Sequence, residues 1–162
     1  MQTLILPGFS KSNKEWVDEV AQNLDVEGII RPFYWMHWTD ESQKFDATEK
    51  AELIVKHIKG DRINIIAKSI GTLIASLVYK IIPKQIERII FCGIPVNSLE
   101  ISELETIKSF IILNNGKFVG FQNINDPLGS YEKVKDFGNI KMTNRDDHNY
   151  PYFDEFNKFL VS

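Results

Sequence analysis

Six short runs of β-branched and aromatic residues alternate with amphipathic helical patterns, and this alternation is what most constrains the fold. The runs predicted to form strands are residues 3–6, 26–33, 62–67, 86–92, 117–122 and 139–143. The helical segments between them are long enough for right-handed crossovers, which join parallel neighbours in a sheet. The sequence therefore predicts an α/β protein, a three-layer α/β/α sandwich around an open, mainly parallel sheet of about six strands.

The length of the chain is typical of a single domain. A chain of 162 residues buries roughly 68–70% of its unfolded surface. No internal repeat or Gly/Ser-rich linker divides the sequence, and no insertion is long enough for a full cap domain. We therefore expect one domain over residues 1–162, without a cap.

Composition narrows the possible partners and the compartment. A net charge of −3 and lysines spread along the chain give no indication of a nucleic acid or an anionic membrane as partner. No apolar run approaches the ~18 residues of a membrane span, and Cys92 is the single cysteine. A reducing, cytoplasmic location is the simplest expectation.

Polar residues that cap helices mark where several of the helices begin. Capping boxes are predicted at residues 12–15, 46–49 and 102–105, each with Ser or Asp three residues before Glu. A short helix is expected around residues 131–137 and a final one around residues 153–160.

The segment at residues 67–71 reads Ala-Lys-Ser-Ile-Gly, directly after the third predicted strand. Small residues two positions on either side of a serine allow a strand and a helix to approach closely at a sharp elbow. Such an elbow exposes the serine Oγ above the sheet and turns the next backbone N–H towards a developing oxyanion. Taken alone, a serine at such a corner is more often only a helix N-cap.

An acid and a base follow Ser69 in the chain, each directly after a predicted strand. Considered singly, Asp126 reads as the start of a turn and His148 as a surface histidine. Together they supply what a serine nucleophile needs: a base to take its proton and a carboxylate to orient that base. Asp146 and Asp147 are alternative acids by proximity, although adjacent residues rarely reach behind the ring of their neighbour.

The order Ser69, Asp126, His148 and the strand–helix alternation resemble compact α/β hydrolases. The chain is similar to the small serine-hydrolase group that includes the retinoblastoma-binding protein 9 and YdeN-type proteins. The resemblance implies Ser69 as nucleophile, Asp126 as acid and His148 as base. It also implies an oxyanion hole formed by the backbone N–H groups of Phe9 and Ile70.

The chain departs from this group at two positions near the expected site. Ala67 stands where the elbow usually has glycine, and Pro7-Gly8 stands where many relatives have His-Gly. Alanine is the next smallest residue, so the elbow remains feasible.

Aromatic residues after the second strand suggest a substrate pocket. The expected lining residues are Trp35, His37, Trp38, Ile94 and Leu128, although packing against the core explains the aromatic cluster equally well. The three histidines have no H-x-x-x-H spacing and no phosphate-binding glycine motif is present, so we expect neither a metal nor another cofactor.

The sequence therefore predicts a carboxylesterase-like serine hydrolase for a small-molecule acyl substrate. A thioesterase or acyltransferase with the same residues, or a weakly active protein-binding member of the fold, remain alternatives. No protein partner is indicated by the sequence.

Overall fold

The computed structural model describes residues 1–58 and 60–162, and within these ranges six strands form one sheet. They are β1 (Gln2–Leu6), β2 (Ile29–Pro32), β3 (Ile63–Lys68), β4 (Ile86–Cys92), β5 (Phe118–Asn123) and β6 (Ile140–Thr143). Their order is β2-β1-β3-β4-β5-β6, and every neighbouring pair is parallel. The predicted open α/β sheet is confirmed, although β2 is only four residues long.

Five α-helices in the described part of the chain cover both faces of this sheet. They are α1 (Asn13–Asn23), α2 (Ala47–Ile58), α3 (Gly71–Ile81), α4 (Ile101–Leu113) and α5 (Phe153–Leu160). Helices α2, α3 and α4 pack on one face, and α1 and α5 pack on the other. None of the helices in the described ranges is both long and apolar enough to cross a membrane.

Strands β1, β3 and β5 are buried along their whole length, which is expected of parallel strands covered on both faces. Successive residues of β3 alternate between the two cores: Ile65 and Ala67 face the α2–α4 layer, whereas Ile66 faces α1 and α5. Full burial of a large aliphatic side chain contributes about 1.5–3 kcal/mol. Burial of both faces therefore holds the central strands, and their carboxyl ends, in fixed positions.

The helix starts agree only in part with the predicted capping boxes. Asp46 caps α2 as predicted, because its Oδ1 accepts the backbone N–H of Glu49 at 2.8 Å. Ser12 stands at the start of α1 without a side-chain capping bond. The box that opens α4 is Glu100 with Glu103, two residues earlier than predicted. The predicted helix around residues 131–137 is only a 3₁₀ turn, Tyr131–Lys133.

Candidate active site

Ser69 occupies a sharp elbow between β3 and α3. Its φ of +56° is the one left-handed conformation adopted by a non-glycine residue in the described part of the chain. Such a conformation costs about 1–3 kcal/mol and persists only where the surroundings enforce it. Here the N–H of Ser69 donates to the carbonyl of Cys92 at 3.0 Å, and its carbonyl accepts from the N–H of Thr72 at 2.9 Å. Both sides of the elbow are therefore fixed by backbone hydrogen bonds.

Small residues flank Ser69 because β1 runs very close to the elbow. A β-carbon placed on Gly71 would lie 2.4 Å from the carbonyl oxygen of Leu6 and 2.9 Å from that of Pro7. Ala67 is fully buried and pairs with Leu6 in the sheet. Glycine is thus required at position 71 by close backbone approach, whereas the methyl group of Ala67 is accommodated.

His148 and Asp126 come together beyond the carboxyl ends of β5 and β6. The Nδ1 of His148 donates to Asp126 Oδ2 at 2.7 Å, with the Asp126 side chain fully buried and the His148 side chain 19% exposed. The other carboxylate oxygen of Asp126 accepts the backbone N–H of Leu128 at 2.8 Å. With Nδ1 as the donor to Asp126, the acceptor nitrogen of the neutral ring is Nε2, which is the arrangement that a general base requires.

The imidazole of His148 lies against the backbone at the end of β4. A β-carbon on Gly93 would be 2.8 Å from His148 Cε1, and Gly93 directly follows Cys92, the neighbour of Lys68 in the sheet. The His148 ring therefore lies at the end of β4, the strand next to the one that Ser69 follows. Nε2 is buried and makes no hydrogen bond with any residue that the structure describes, including Ser69.

Comparisons by sequence find no matching protein-family model and no matching curated protein. Comparison with solved structures gives clear matches over nearly the whole chain. Est1E from Butyrivibrio proteoclasticus, with ferulic acid bound, is 13% identical with a TM-score of 0.73, covering 99% of this chain and 88% of its own. A YdeN-like hydrolase from Pectobacterium atrosepticum is 13% identical with a TM-score of 0.68, covering 98% and 90%.

A third match is α/β-hydrolase domain-containing protein 10 from mouse, at 9% identity and a TM-score of 0.67, covering 99% of this chain and 86% of that one. The parallel sheet, the strand order and these matches agree. The chain has the α/β-hydrolase fold. Among the matched structures are esterases, hydrolases and a thioesterase, and at such low identity the likeness establishes the fold alone.

The two alternative acids have other partners in this α/β-hydrolase fold. Asp146 accepts a hydrogen bond from the side-chain amide of Asn125 at 2.7 Å. Asp147 accepts a hydrogen bond from the guanidinium of Arg145, and this bond lowers the pKa of the Asp147 carboxyl group to about 2. Only Asp126, of the three, is hydrogen-bonded to the ring of His148 in the described residues.

Tyr150 is a member of the site that the sequence did not indicate. Its phenol O–H donates to the same oxygen of Asp126 that accepts from His148, and the phenol oxygen accepts the N–H of Asn123 at 3.1 Å. Burial raises the pKa of Tyr150 well above its usual value, as does the hydrogen bond to Asp126. The phenol therefore keeps its proton and donates it in the hydrogen bond to Asp126.

Lys68, next to the elbow, is buried, although a solvent-facing lysine is the ordinary case in such a position. It is 7% exposed, and its ammonium group lies 5.4 Å from the centre of the Trp16 ring. Burial lowers the pKa of Lys68. Lys68 is buried because side chains alternate along β3, which directs it to the same face as Ile66 and towards α1.

The backbone N–H groups of Phe9 and Ile70 donate to no acceptor among the described residues. Both residues border a cavity of about 420 Å³ that also reaches Ser69. The remaining residues that line this cavity are Phe45, Asp46, Ala47, Pro95, Ser98, Leu99, Glu103 and Leu128. Both amides thus belong to residues on the wall of the cavity that Ser69 reaches, and neither N–H has an acceptor among the described residues.

Of the residues expected to form the pocket, Leu128 lines this cavity and the other four do not. Ile94 is buried, and its N–H donates to Gln122 Oε1 at 2.9 Å. Trp35, His37 and Trp38 instead contact the backbone of the loop after β1. Their ring nitrogens find carbonyl acceptors there, so the aromatic cluster serves the loop rather than the cavity wall.

Groups of three or more His, Cys, Asp or Glu side chains arranged to bind a metal ion do not occur in residues 1–58 and 60–162. Cys92 is fully buried at the end of β4, and burial raises the pKa of its thiol. A buried, protonated thiol is a packing residue rather than a nucleophile.

Proposed function

We propose that the protein is a serine hydrolase of the carboxylesterase type that cleaves a small ester or related acyl substrate. The observation that carries this proposal is the 2.7 Å hydrogen bond between His148 and Asp126, formed beside the left-handed elbow of Ser69. A serine on such an elbow, a base with a free nitrogen and a buried carboxylate behind it are the parts required for acyl transfer.

In the proposed reaction, Ser69 Oγ attacks the substrate carbonyl carbon while His148 Nε2 takes the hydroxyl proton. The negative charge of Asp126 stabilises the imidazolium that forms. The N–H groups of Phe9 and Ile70 donate to the oxyanion of the tetrahedral intermediate. Hydrogen bonds of this kind often tighten only when substrate binds, so the absence of a Ser69–His148 bond among the described residues is compatible with this step.

Collapse of the intermediate breaks the bond to the leaving alkoxide, which takes the proton from His148 Nε2 and departs as an alcohol. Water then attacks the acyl-enzyme, and the same nitrogen accepts its proton. Collapse of the second tetrahedral intermediate releases the carboxylic acid and expels Ser69 Oγ. The serine then recovers its proton from His148. The cycle returns every group of the protein to its initial protonation state.

The cavity supports a small, neutral acyl group. Its volume of about 420 Å³ lies within the range usual for small-molecule sites, about 300–1,000 Å³. The wall is largely apolar, and the two carboxylates on it belong to Asp46 and Glu103. These carboxylates repel an anionic acyl group. The matched Est1E structure contains ferulic acid, an aromatic acid, which supports testing aromatic as well as short aliphatic esters.

Labelling with a fluorophosphonate probe tests the proposal directly. Wild-type protein should be labelled and should hydrolyse short p-nitrophenyl esters, whereas Ser69→Ala should do neither. Ser98→Ala is a matched control because Ser98 lines the same cavity and has no role in the proposed chemistry. Labelling that persists in Ser69→Ala, or a wild-type protein that neither reacts nor hydrolyses, would contradict the proposal and favour a protein-binding role.

A thioesterase is the second candidate, because the matched structures include RedJ, the thioesterase of a prodiginine biosynthetic pathway in Streptomyces coelicolor. That match has a TM-score of 0.54 at 12% identity, covering 98% of this chain and 87% of the other. The same residues act on either bond, and the leaving group differs. Comparison of kcat/KM for an ester and a thioester with the same acyl group decides between them.

A further inference from the structure

Trp35 makes a buried hydrogen bond to the loop that follows β1. Its indole N–H donates to the carbonyl oxygen of Gly8 at 3.0 Å, and the side chain is only 4% exposed. The ring packs edge-to-face against Phe45, with 5.9 Å between ring centres. Because a buried indole N–H needs its acceptor, packing and hydrogen bonding fix the ring and the Gly8 carbonyl together.

The carbonyl of Gly8 and the N–H of Phe9 belong to the same peptide group. In a trans peptide these two groups point in opposite directions within one plane. Holding the Gly8 oxygen towards Trp35 therefore directs the Phe9 N–H away from it, and that N–H donates to none of the described acceptors. Phe9 borders the cavity together with Ser69 and Ile70.

We infer that Trp35 is a positioning residue for the oxyanion hole: it aims the Phe9 N–H at the oxyanion by holding the other end of the same peptide group. This inference rests on the proposed function. The hydrogen bond also polarises the amide, which strengthens the N–H as a donor. A donor fixed before the reaction needs no reorganisation when the negative charge develops.

Trp38 provides a matched comparison because it donates to the next peptide group along the chain, the one between Phe9 and Ser10. Its indole N–H donates to the carbonyl of Phe9 at 2.7 Å. The same oxygen accepts from Nε2 of His37, also at 2.7 Å. The Phe9 carbonyl therefore keeps one donor when Trp38 is changed, whereas Trp35 is the single described side-chain donor to the Gly8 carbonyl.

The experiment compares Trp35→Phe and Trp38→Phe in steady-state hydrolysis of a p-nitrophenyl ester and in inhibition by phenylboronic acid. The boronic acid bonds through boron to Ser69 Oγ, whose proton passes to His148, and forms a tetrahedral adduct that uses the oxyanion hole. Trp35→Phe should lower kcat about 10- to 100-fold, somewhat less than outright loss of an oxyanion donor. KM should change little, the boronate affinity should fall in parallel with kcat, and Trp38→Phe should lose less.

Two outcomes would overturn the inference: a folded Trp35→Phe protein with kcat and boronate affinity near wild type, or equal losses in both variants. If Trp35→Phe does not fold, replacement of Trp35 by 3-benzothienylalanine keeps the shape of the ring and removes only the N–H donor. Ser69→Ala, assayed alongside, distinguishes a failure of the positioning role from a failure of the proposed serine mechanism. Inactive Ser69→Ala with fully active Trp35 variants rejects only the positioning role, whereas active Ser69→Ala rejects the serine mechanism.

Discussion

The two sides of the candidate active site are held in place by different means. On the acid–base side, side chains bind one another, and Asp126 receives hydrogen bonds from His148, Tyr150 and the backbone of Leu128. On the oxyanion side, the candidate donors are backbone N–H groups, and one side-chain hydrogen bond to the backbone and one close packing contact determine where they lie. Trp35 anchors one of these peptides from behind, and Gly71 allows the other to approach β1.

This difference predicts different responses to substitution. A network of side-chain hydrogen bonds depends on chemical identity, so an isosteric change that reverses a donor and an acceptor should disable it. The Ile70 N–H depends instead on the close approach of Gly71 to β1, so one added methyl group at position 71 should displace it. Three substitutions test this contrast, and their expected effects decrease in the order given.

The largest effect is expected for Asp126→Asn. The amide has nearly the same shape as the carboxylate, but it favours the wrong tautomer of His148 and carries no charge to stabilise the imidazolium. We expect kcat to fall by about 10³- to 10⁴-fold, as for a lost acid in a serine hydrolase. Esterase kinetics, with circular dichroism as the check on folding, measure the effect.

Asp147→Asn is the matched control for this substitution. Asp147 follows β6, two residues beyond its partner Arg145, and is not hydrogen-bonded to the His148 ring in the described residues. Its effect on kcat should be minor. A larger loss in Asp147→Asn than in Asp126→Asn would show that the acid is assigned to the wrong residue.

Sequence reasoning could propose Ser69, Asp126 and His148 because their chemistry demands particular residue types in a particular order. The strand pattern then placed each one at the same edge of a parallel sheet. The exact helix starts were less predictable: Ser102 and Glu100 both offer a polar side chain near the start of α4 and Glu100 forms the capping box, whereas Ser12 makes no side-chain capping bond at α1. Such competition between local alternatives is settled only by the assembled structure.

The supporting residues could not be predicted, because their roles depend on contacts between distant parts of the chain. Trp35 looks like a pocket residue until the acceptor of its N–H is known to be Gly8, 27 positions away in the sequence. Tyr150 carries no motif, and its link to Asp126 spans 24 positions. Lys68 reads as a surface residue because the sequence does not reveal that α1 covers that end of β3.

Gly71→Ala should have the second-largest effect, and it tests the oxyanion side. The added methyl group would meet the Leu6 carbonyl oxygen at 2.4 Å, so α3 must shift away from β1 and carry the Ile70 N–H with it. A misplacement on the order of 1 Å at a reacting centre can lower the rate by about 100-fold. We expect a loss of that size in kcat together with a lower melting temperature, measured by ester hydrolysis and thermal unfolding.

Gly116→Ala is the control, because a β-carbon there would meet no heavy atom within 4 Å. It should leave kcat unchanged and shift the melting temperature only slightly. Wild-type kcat in Gly71→Ala would mean that the oxyanion side tolerates displacement, and the contrast between the two sides would then fail.

Tyr150→Phe should have the smallest of the three effects, because it removes one of three donors to Asp126 and leaves the bond to His148 in place. The lost hydrogen bond is buried and its acceptor is charged, for which about 1.5–3 kcal/mol is typical. Only part of that should appear in the barrier, because His148 and Leu128 still hold the carboxylate. We therefore expect kcat to fall about tenfold, equivalent to about 1.4 kcal/mol, with KM nearly constant.

Tyr152→Phe is the natural comparison, since its phenol donates to Asn123 Oδ1 at 2.7 Å rather than to the acid. It should reduce stability without a matching loss in kcat. If the two variants lose kcat equally, the effect of Tyr150 is general packing and not orientation of the acid. If Tyr150→Phe alone lowers kcat, then catalysis depends on Tyr150 as well as on Ser69, Asp126 and His148, because its phenol holds the Asp126 carboxylate in place.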